Sequence, residues 1–203
     1  MVTTSPGHLV RDFLGSAQIF TSAINDLLEQ QLQRVTGKKL TFSQLKLLKM
    51  VSLTEGYTIS NAAAFLGVSN AAASRAVDRL VRRDLIQRTE AEADRRAVRL
   101  SLTEAGRHLL ASYDAASNRA LQALFEQFPS DELRHAADLL DSLSLGIVDR
   151  GNGRGEVCFR CGIHFRETCL LRQTARRDCH FHLHRKHELD DARTRPSPDG
   201  EPA

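Results

Sequence analysis

The segment from Ser69 to Leu102 constrains the fold of this chain more than any other. Its first part places apolar residues at helical spacing on one side and small, polar or cationic residues on the other. The apolar positions of this helix are Ala72, Ala76, Val77, Leu80 and Val81. Residues 85–89 then resemble a short strand and Glu90 to Arg95 a charged turn. In the second strand, 96–102, Val98, Leu100 and Leu102 alternate with polar residues. The pattern predicts a helix, a strand, a turn and a second strand.

Arginine is the dominant charged residue of this segment. Residues 69–99 contain eight arginines, five acidic residues and no lysine. An arginine can bind phosphate or guanine through two hydrogen bonds, whereas lysine acts as a point charge. A lean basic helix fits the major groove of DNA, and a hairpin can contact the flanking backbone or minor groove. We therefore predict a winged helix-turn-helix, which the net charge of +3 alone would not indicate.

Three short motifs resemble the MarR family of bacterial transcriptional regulators. Residues 40–45, LTFSQL, are similar to the start of that family's second helix, and residues 67–69, GVS, to its helix-turn-helix turn. Residues 94–106, DRRAVRLSLTEAG, are similar to its wing. The resemblance extends over about 8–148 and implies a DNA-binding dimer with interlocked terminal helices. Asp84 replaces a glycine usual in the family, and we expect the turn to persist because Asp tolerates a left-handed backbone.

The predicted helix and wing supply the candidate DNA contacts. The six candidate residues are Asn70, Ser74, Arg75, Arg79, Arg95 and Arg96. We expect Ser74 and Arg75 to contact bases, and Asn70 and Arg79 to contact bases or phosphates. Arg95 and Arg96 would act on the wing. Asp94 has the alternative, structural role of holding Arg96 in an ion pair.

Long apolar stripes outside this segment predict more helices than a small DNA-binding lobe can cover. The expected fold is mainly α with a small β-hairpin wing (α+β), a winged helix-turn-helix inside a helical dimerisation domain. The uncovered stripes predict a homodimer on a pseudo-palindromic operator with half-sites roughly 34 Å apart. The predicted divisions are 8–36 and 104–148 for the helical dimerisation region, 40–103 for the DNA-binding lobe, 149–156 for a linker, 157–187 for a Cys/His-rich metal-binding appendage and 188–203 for a disordered acidic tail.

All four cysteines lie in the appendage, as Cys158-x2-Cys161-x7-Cys169-x9-Cys179. The sequence has no recognisable signal peptide or membrane-spanning run, so we expect a cytoplasmic protein with reduced thiols. Four thiolates can bind zinc or an iron–sulfur cluster. Zinc ligands usually come as two tight pairs, and the second pair here is split by nine residues. The spacing therefore slightly favours an iron–sulfur cluster, with structural zinc as the alternative.

Other readings of the appendage stay open. His180 or His182, which adjoin Cys179, could replace a cysteine ligand, and the other nearby histidines are His164, His184 and His187. Cys158 and Cys161 could instead form a reversible disulfide. A thiol oxidoreductase or metal hydrolase is not expected, because the chain has no nucleophile elbow, phosphate loop or pair of catalytic carboxylates.

These features together predict a sequence-specific, dimeric DNA-binding transcriptional regulator, and we expect a repressor. Its four-cysteine centre would sense redox state or metal supply. In the alternative, the appendage is a structural zinc module. The signal would then be a small-molecule effector in the cleft between the dimer helices and the DNA-binding lobe, where the family resemblance implies small anionic aromatic ligands.

Overall fold

The computed structural model describes residues 6–37, 39–54, 57–91, 94–149, 158, 161, 163–166, 168–174, 179 and 182. Only the backbone is described for residues 6, 90, 91, 94–98, 148, 149 and 174. The elements in chain order are α1 (Pro6–Thr36), α2 (Phe42–Leu53), α3 (Ile59–Leu66), α4 (Asn70–Val81), β1 (Ile86–Ala91), β2 (Asp94–Leu102), α5 (Glu104–Phe125), α6 (Ser130–Asp149) and α7 (Leu170–Thr174). The fold is mainly helical with a two-stranded antiparallel wing, which confirms the predicted fold class.

Local sequence signals set the ends of the helices of the lobe. Thr41 begins α2 and Thr58 begins α3, each through a capping box in which its hydroxyl accepts a backbone N–H three residues later. Ser69 caps α4 in the same position, with its hydroxyl 3.3 Å from the Ala72 nitrogen. Gly67 ends α3 in a left-handed conformation with φ of 65°.

The junctions of the wing also follow from single residues. Asp84 lies between α4 and β1 with φ of 54°, so the left-handed turn predicted there is confirmed. The Leu100 N–H donates to the Tyr57 carbonyl at 2.7 Å and ties β2 to the segment before α3. Thr103 caps α5, and its hydroxyl accepts the Gly106 N–H at 3.0 Å. The end of the wing is therefore tied to the segment before α3 and leads directly into the capped start of α5.

The strands of the wing run further than the sequence pattern predicts. The stretch from Glu90 to Arg95 was expected to be a turn, but β1 continues to Ala91 and β2 starts at Asp94. The prediction of its extent is wrong because it used side-chain polarity, whereas the ladder is formed by backbone groups that every non-proline residue carries. The pairing shifts register between Glu90 and Ala91.

The main core lies between α2, α3, α4 and the wing, and it extends to the facing parts of α1 and α5. Its fully buried side chains include Leu45, Leu48, Tyr57, Val77 and Tyr113. By contrast, the first half of α1 and most of α6 leave large apolar side chains exposed. These are Leu9, Val10, Phe13, Leu14, Ile19 and Phe20 of α1, and Leu139, Leu140, Leu143 and Ile147 of α6. None of the helices described here combines the length and apolar character needed to span a bilayer.

Candidate functional site

The two faces of α4 differ sharply in burial. Its fully buried residues are Ala73, Val77 and Leu80. Sequence periodicity had placed Ala72 and Ala76 on the inner face, but both are only half-buried and Ala73 is the deeper residue. Arg75 and Arg79 are exposed on the other side, and Asn70 is exposed in the first turn of the helix. Because burial fixes one face in the lobe, the opposite face has a fixed orientation towards solvent.

The structure separates the six candidate DNA-binding residues into three groups. Asn70, Arg75 and Arg79 are exposed on α4, as contact with DNA requires. Ser74 is half-buried on the same helix. Arg95 and Arg96 lie in the backbone of β2, and their side chains, like that of Asp94, lie outside what the structure describes. Contact with bases or phosphates stays a prediction for all six.

An ion pair joins α4 to the wing. Arg88 of β1 donates to the Asp78 carboxylate at 2.6 Å. Each of the two side chains is more than a third exposed, so solvent screens the pair and its contribution to stability is small. The pair holds the guanidinium of Arg88, on the wing, beside α4, which is the predicted recognition helix. Arg83, just after α4, is also engaged, because its guanidinium donates to the Lys39 carbonyl.

Sequence analysis missed the Asp78–Arg88 pair. The two residues are ten positions apart and lie in different elements, so no helical or strand periodicity relates them. Opposite charges on α4 and on the predicted first strand were the available signal. Their pairing follows only once the hairpin is placed against the helix.

The second candidate site is the cysteine unit, by which we mean described residues 158, 161, 163–166, 168–174, 179 and 182. Cys158 and Cys179 form a parallel backbone bridge, which brings the two ends of the unit together. Cys169 immediately precedes α7 and accepts backbone hydrogen bonds from Arg172 and Gln173 at 3.1 Å. All four thiols are free, and Cys179 is buried.

The four predicted metal ligands line one cavity of about 490 Å³. Asp141, Ser144 and Ile147 of α6 form the wall opposite the cysteines. Among the described residues, no set of three or more His, Cys, Asp or Glu side chains lies close enough together to hold a single metal ion.

The environment of the cavity disfavours the charged form of Cys161. Burial, followed by the effects of Cys179, Cys158 and Cys169, raises the pKa of Cys161 to about 11. A thiol with so high a pKa is protonated at neutral pH and is a poor nucleophile without a metal.

Two of the five nearby histidines belong to the described part of the chain. The ring of His182 lies 5.4 Å from the ring of Phe165, measured between centroids. Burial and the positive charges of Lys49 and Lys46 lower the pKa of His164, which favours its neutral form. His180, His184 and His187 lie outside the described residues.

Comparison with known proteins independently supports the winged helix-turn-helix fold of the lobe. Residues 40–98 match the sequence model of the MarR family. No curated protein matches the chain. Similar solved structures include the YusO protein of Bacillus subtilis, which is 25% identical with a TM-score of 0.54 and is covered over 97% of its length by 69% of this chain.

Two further structures have the same fold. MarR of Staphylococcus aureus, solved with salicylate and kanamycin, is 16% identical with a TM-score of 0.61, and 70% of this chain covers 95% of it. A MarR/EmrR family transcriptional regulator of Acinetobacter sp. ADP1 is 24% identical with a TM-score of 0.52, and 67% of this chain covers 96% of it.

All three relatives are matched over nearly their whole length, whereas roughly a third of this chain has no counterpart in them. The family consists of transcriptional regulators and not of enzymes. The family match spans α2, α3, α4 and most of the wing, which are the elements that build the exposed basic face. By the match of residues 40–98 and by its winged helix-turn-helix fold, this chain is similar to the DNA-binding transcriptional regulators of the MarR family.

Proposed function

We propose that the chain acts as a homodimeric repressor that binds a pseudo-palindromic operator through α4 and the wing. The observation that carries this proposal is the exposed face of α4, where Arg75 and Arg79 stand opposite a fully buried face and Asn70 is exposed in the first turn. Two such helices related by a twofold axis would read two major-groove half-sites about one helical turn apart. Its site of action is the cytoplasm, where DNA is accessible and thiols stay reduced.

The exposed apolar residues of α1 and α6 support the homodimer. Ile19 is 72% exposed and Ile147 is 71% exposed in the single chain. An apolar face of this extent is costly to leave in water, and a second copy offers a matching face by symmetry. The first half of α1 and the apolar face of α6 therefore form the proposed dimer surface.

Operator selection from a random duplex library tests DNA binding. The expected result is an inverted repeat whose two halves are separated by about ten base pairs, measured between their centres. Binding would then be quantified by fluorescence anisotropy as a function of salt. Recovery of sequences without twofold symmetry, or binding that does not depend on sequence, would contradict the proposal.

A charged substitution in the dimer surface tests the assembly separately. Leu140→Glu places a carboxylate on the apolar face of α6, and we expect a monomer with native helix content and at least tenfold weaker operator binding. Ser142→Glu adds the same charge to an exposed position of the same helix, away from that face. The matched control should remain dimeric in analytical ultracentrifugation.

The four cysteines, we further propose, hold a metal centre that senses metal supply or redox state, and we favour an iron–sulfur cluster. A cluster spreads its cysteine ligands because each sulfur binds a different iron atom, whereas zinc gathers all four around one ion. Cys158, Cys161, Cys169 and Cys179 line one cavity, and the wide spacing of the last two in the sequence favours the cluster over a structural zinc ion.

Metal and sulfide analysis of protein purified without oxygen distinguishes these centres. A brown protein with iron and acid-labile sulfide supports the cluster. A colourless protein with one zinc ion per chain supports the structural module. Metal-free protein with wild-type stability would contradict both, because a closed thiolate site contributes to folding when it is occupied.

One observation supports the alternative in which a small molecule is the signal. A second cavity, of about 600 Å³, lies between α1 and α5 and is lined by Val35, Glu104, Ala105, His108, Leu109 and Ser112. The Staphylococcus aureus relative was solved with salicylate. If the cysteine unit is structural, salicylate should weaken operator binding by this chain while the metal content stays constant.

A further inference from the structure

We propose that the cysteine unit, when its cavity is occupied, fastens α6 to α2 of the DNA-binding lobe, so that occupancy controls how the lobe is held relative to the dimer surface. This inference rests on the proposed metal centre and adds the route by which the centre acts. It stands on the contacts of the unit with α6, on its contacts with the lobe, and on the cavity between α6 and the unit.

The contact with α6 is polar and specific. Arg166 donates to the Asp141 carboxylate at 2.8 Å, across 25 positions of the chain. Asp141 is the more buried partner, with 23% of its side chain exposed. Asp141, Ser144 and Ile147 also form one wall of the cavity, so α6 contacts both the unit and its contents.

The contact with the lobe is mainly apolar. Cys179 is buried within the same core cluster as Leu45 and Leu48 of α2. Cys161 and Phe165 pack against that cluster from the outside. Two of the four thiols therefore touch the core that positions the recognition helix.

Within the described part of the chain, α6 has little other support. Its most extensive packing is against α7 of the cysteine unit, while α5 packs against α1 and α2. Lys49 of α2 forms an ion pair with Asp114 of α5, and this pair links α2 directly to α5. The cysteine unit is thus the main connection between a firmly packed lobe and a sparsely packed α6.

Occupancy should decide whether this connection holds. The unit is short, and its ordered helix, α7, has only five residues. Segments of this size lack the apolar area to fold unaided, so metal binding and folding are coupled in them. Loss of the centre would release Arg166 and Cys179 together, and α6 would lose its attachment to α2. Because α6 carries part of the proposed dimer surface, the spacing of the two recognition helices would change.

Hydrogen exchange on the full-length chain tests this route. Protein reconstituted without oxygen with ferrous iron and sulfide would be compared with protein stripped of metal by a chelator. We expect metal removal to speed amide exchange in 141–147 about tenfold or more, while α3 and α4 remain protected. We also expect the loaded protein to bind its selected operator about tenfold more tightly, because a fixed lobe is preorganised.

Arg166→Gln isolates the contact with α6. In the loaded protein this variant should keep its iron and sulfide but show fast exchange in 141–147 and weaker operator binding. The exchanged pair Asp141→Arg with Arg166→Asp should restore both properties. Arg172→Gln is the matched control, because Arg172 also lines the cavity but has no ion pair among the described residues.

The outcomes separate the inference from the proposed function. Iron and sulfide in the protein, with equal exchange and equal operator affinity in both states, would overturn the fastening role and leave the metal centre intact. A chain that takes up no metal would overturn the metal centre and this inference with it. Loaded protein with faster exchange in α6 and tighter binding by the stripped form would also overturn the inference.

Discussion

The carbonyl oxygen of Leu85 lies 2.1 Å from the position that a Cβ on Gly106 would occupy. The same carbonyl accepts the Thr103 N–H at 3.2 Å, so the first turn of α5 packs directly on the chain between α4 and β1. This close approach fixes the position of Leu85, just before the wing, relative to the first turn of α5. Glycine is required here by space, since a backbone atom of Leu85 cannot rotate away.

Gly106→Ala should therefore destabilise the lobe. Its Cβ would force the Leu85 carbonyl and α5 apart, and overpacking of this kind costs about 1–3 kcal/mol. The free energy of unfolding, measured by urea titration followed by circular dichroism, is the test. Gly146→Ala is the matched control in α6, where nothing lies within 4 Å of the added Cβ. It should be neutral or more stable by up to about 1 kcal/mol, since alanine favours helices.

Arg75→Ala should relax sequence preference. If Arg75 contacts a base edge, its loss should weaken binding to the selected operator by about 1–3 kcal/mol and leave binding to unrelated duplexes nearly unchanged. Competition anisotropy with both duplexes gives the ratio. Arg119→Ala removes an equally exposed arginine from α5, away from the lobe's basic face, and should change neither affinity. Wild-type preference in Arg75→Ala would show that α4 reads the operator through other residues.

Asp78→Asn should strengthen DNA binding without much effect on folding. The substitution removes the partner of Arg88, so the guanidinium becomes free to bind a phosphate. An exposed pair of this kind contributes under about 1 kcal/mol to stability. A new phosphate contact should steepen the logarithmic salt dependence of binding by about 0.9. Asp78→Asn combined with Arg88→Gln should lose the gain, and an unchanged salt slope in the single variant would contradict this mechanism.

Alkaline pH should unfold the protein and ionise its tyrosines together. Tyr57 and Tyr113 are the only tyrosines, and burial raises the pKa of each above the ordinary value. The folded state thus favours the neutral phenols. Its stability is full below the unfolded pKa of about 10 and falls as pH rises through the raised values.

Tyrosinate absorbance and circular dichroism, recorded over the same pH titration, should change in one transition. The chain contains no tryptophan, so the near-ultraviolet signal reports these two phenols. Tyr57→Phe should make the free energy of unfolding less dependent on pH. Tyrosinate that appears near pH 10 while the helices persist would contradict burial of both hydroxyls.

Local signals in the sequence predicted the lobe well. Thr41, Ser69 and Gly67 act at the helix ends where the capping rules place them, and Asp84 adopts the left-handed turn expected of it. These effects depend on residues within four positions of each other. A sequence pattern therefore contains all the information that they need.

Contacts between distant segments could not be predicted in the same way. Arg166 and Asp141 are joined by one ion pair. A single pair of charged residues produces no repeating pattern in the sequence from which the contact could be predicted. The linker composition suggested a separate appendage, which gave no reason to expect Cys179 in the core of the lobe. Ser74 is half-buried, and its exposure depends on the packing of α4 against other elements, which periodicity alone does not give.

The exposed apolar faces of α1 and α6 have a consequence for gene dosage. If only dimers bind the operator, its occupancy at low abundance rises more steeply than in proportion to the number of chains. The reason is that two chains must associate to form each DNA-binding dimer. A modest change in synthesis or degradation would then switch the promoter sharply. The abundance of the regulator would itself be an input, added to whatever signal its cysteines receive.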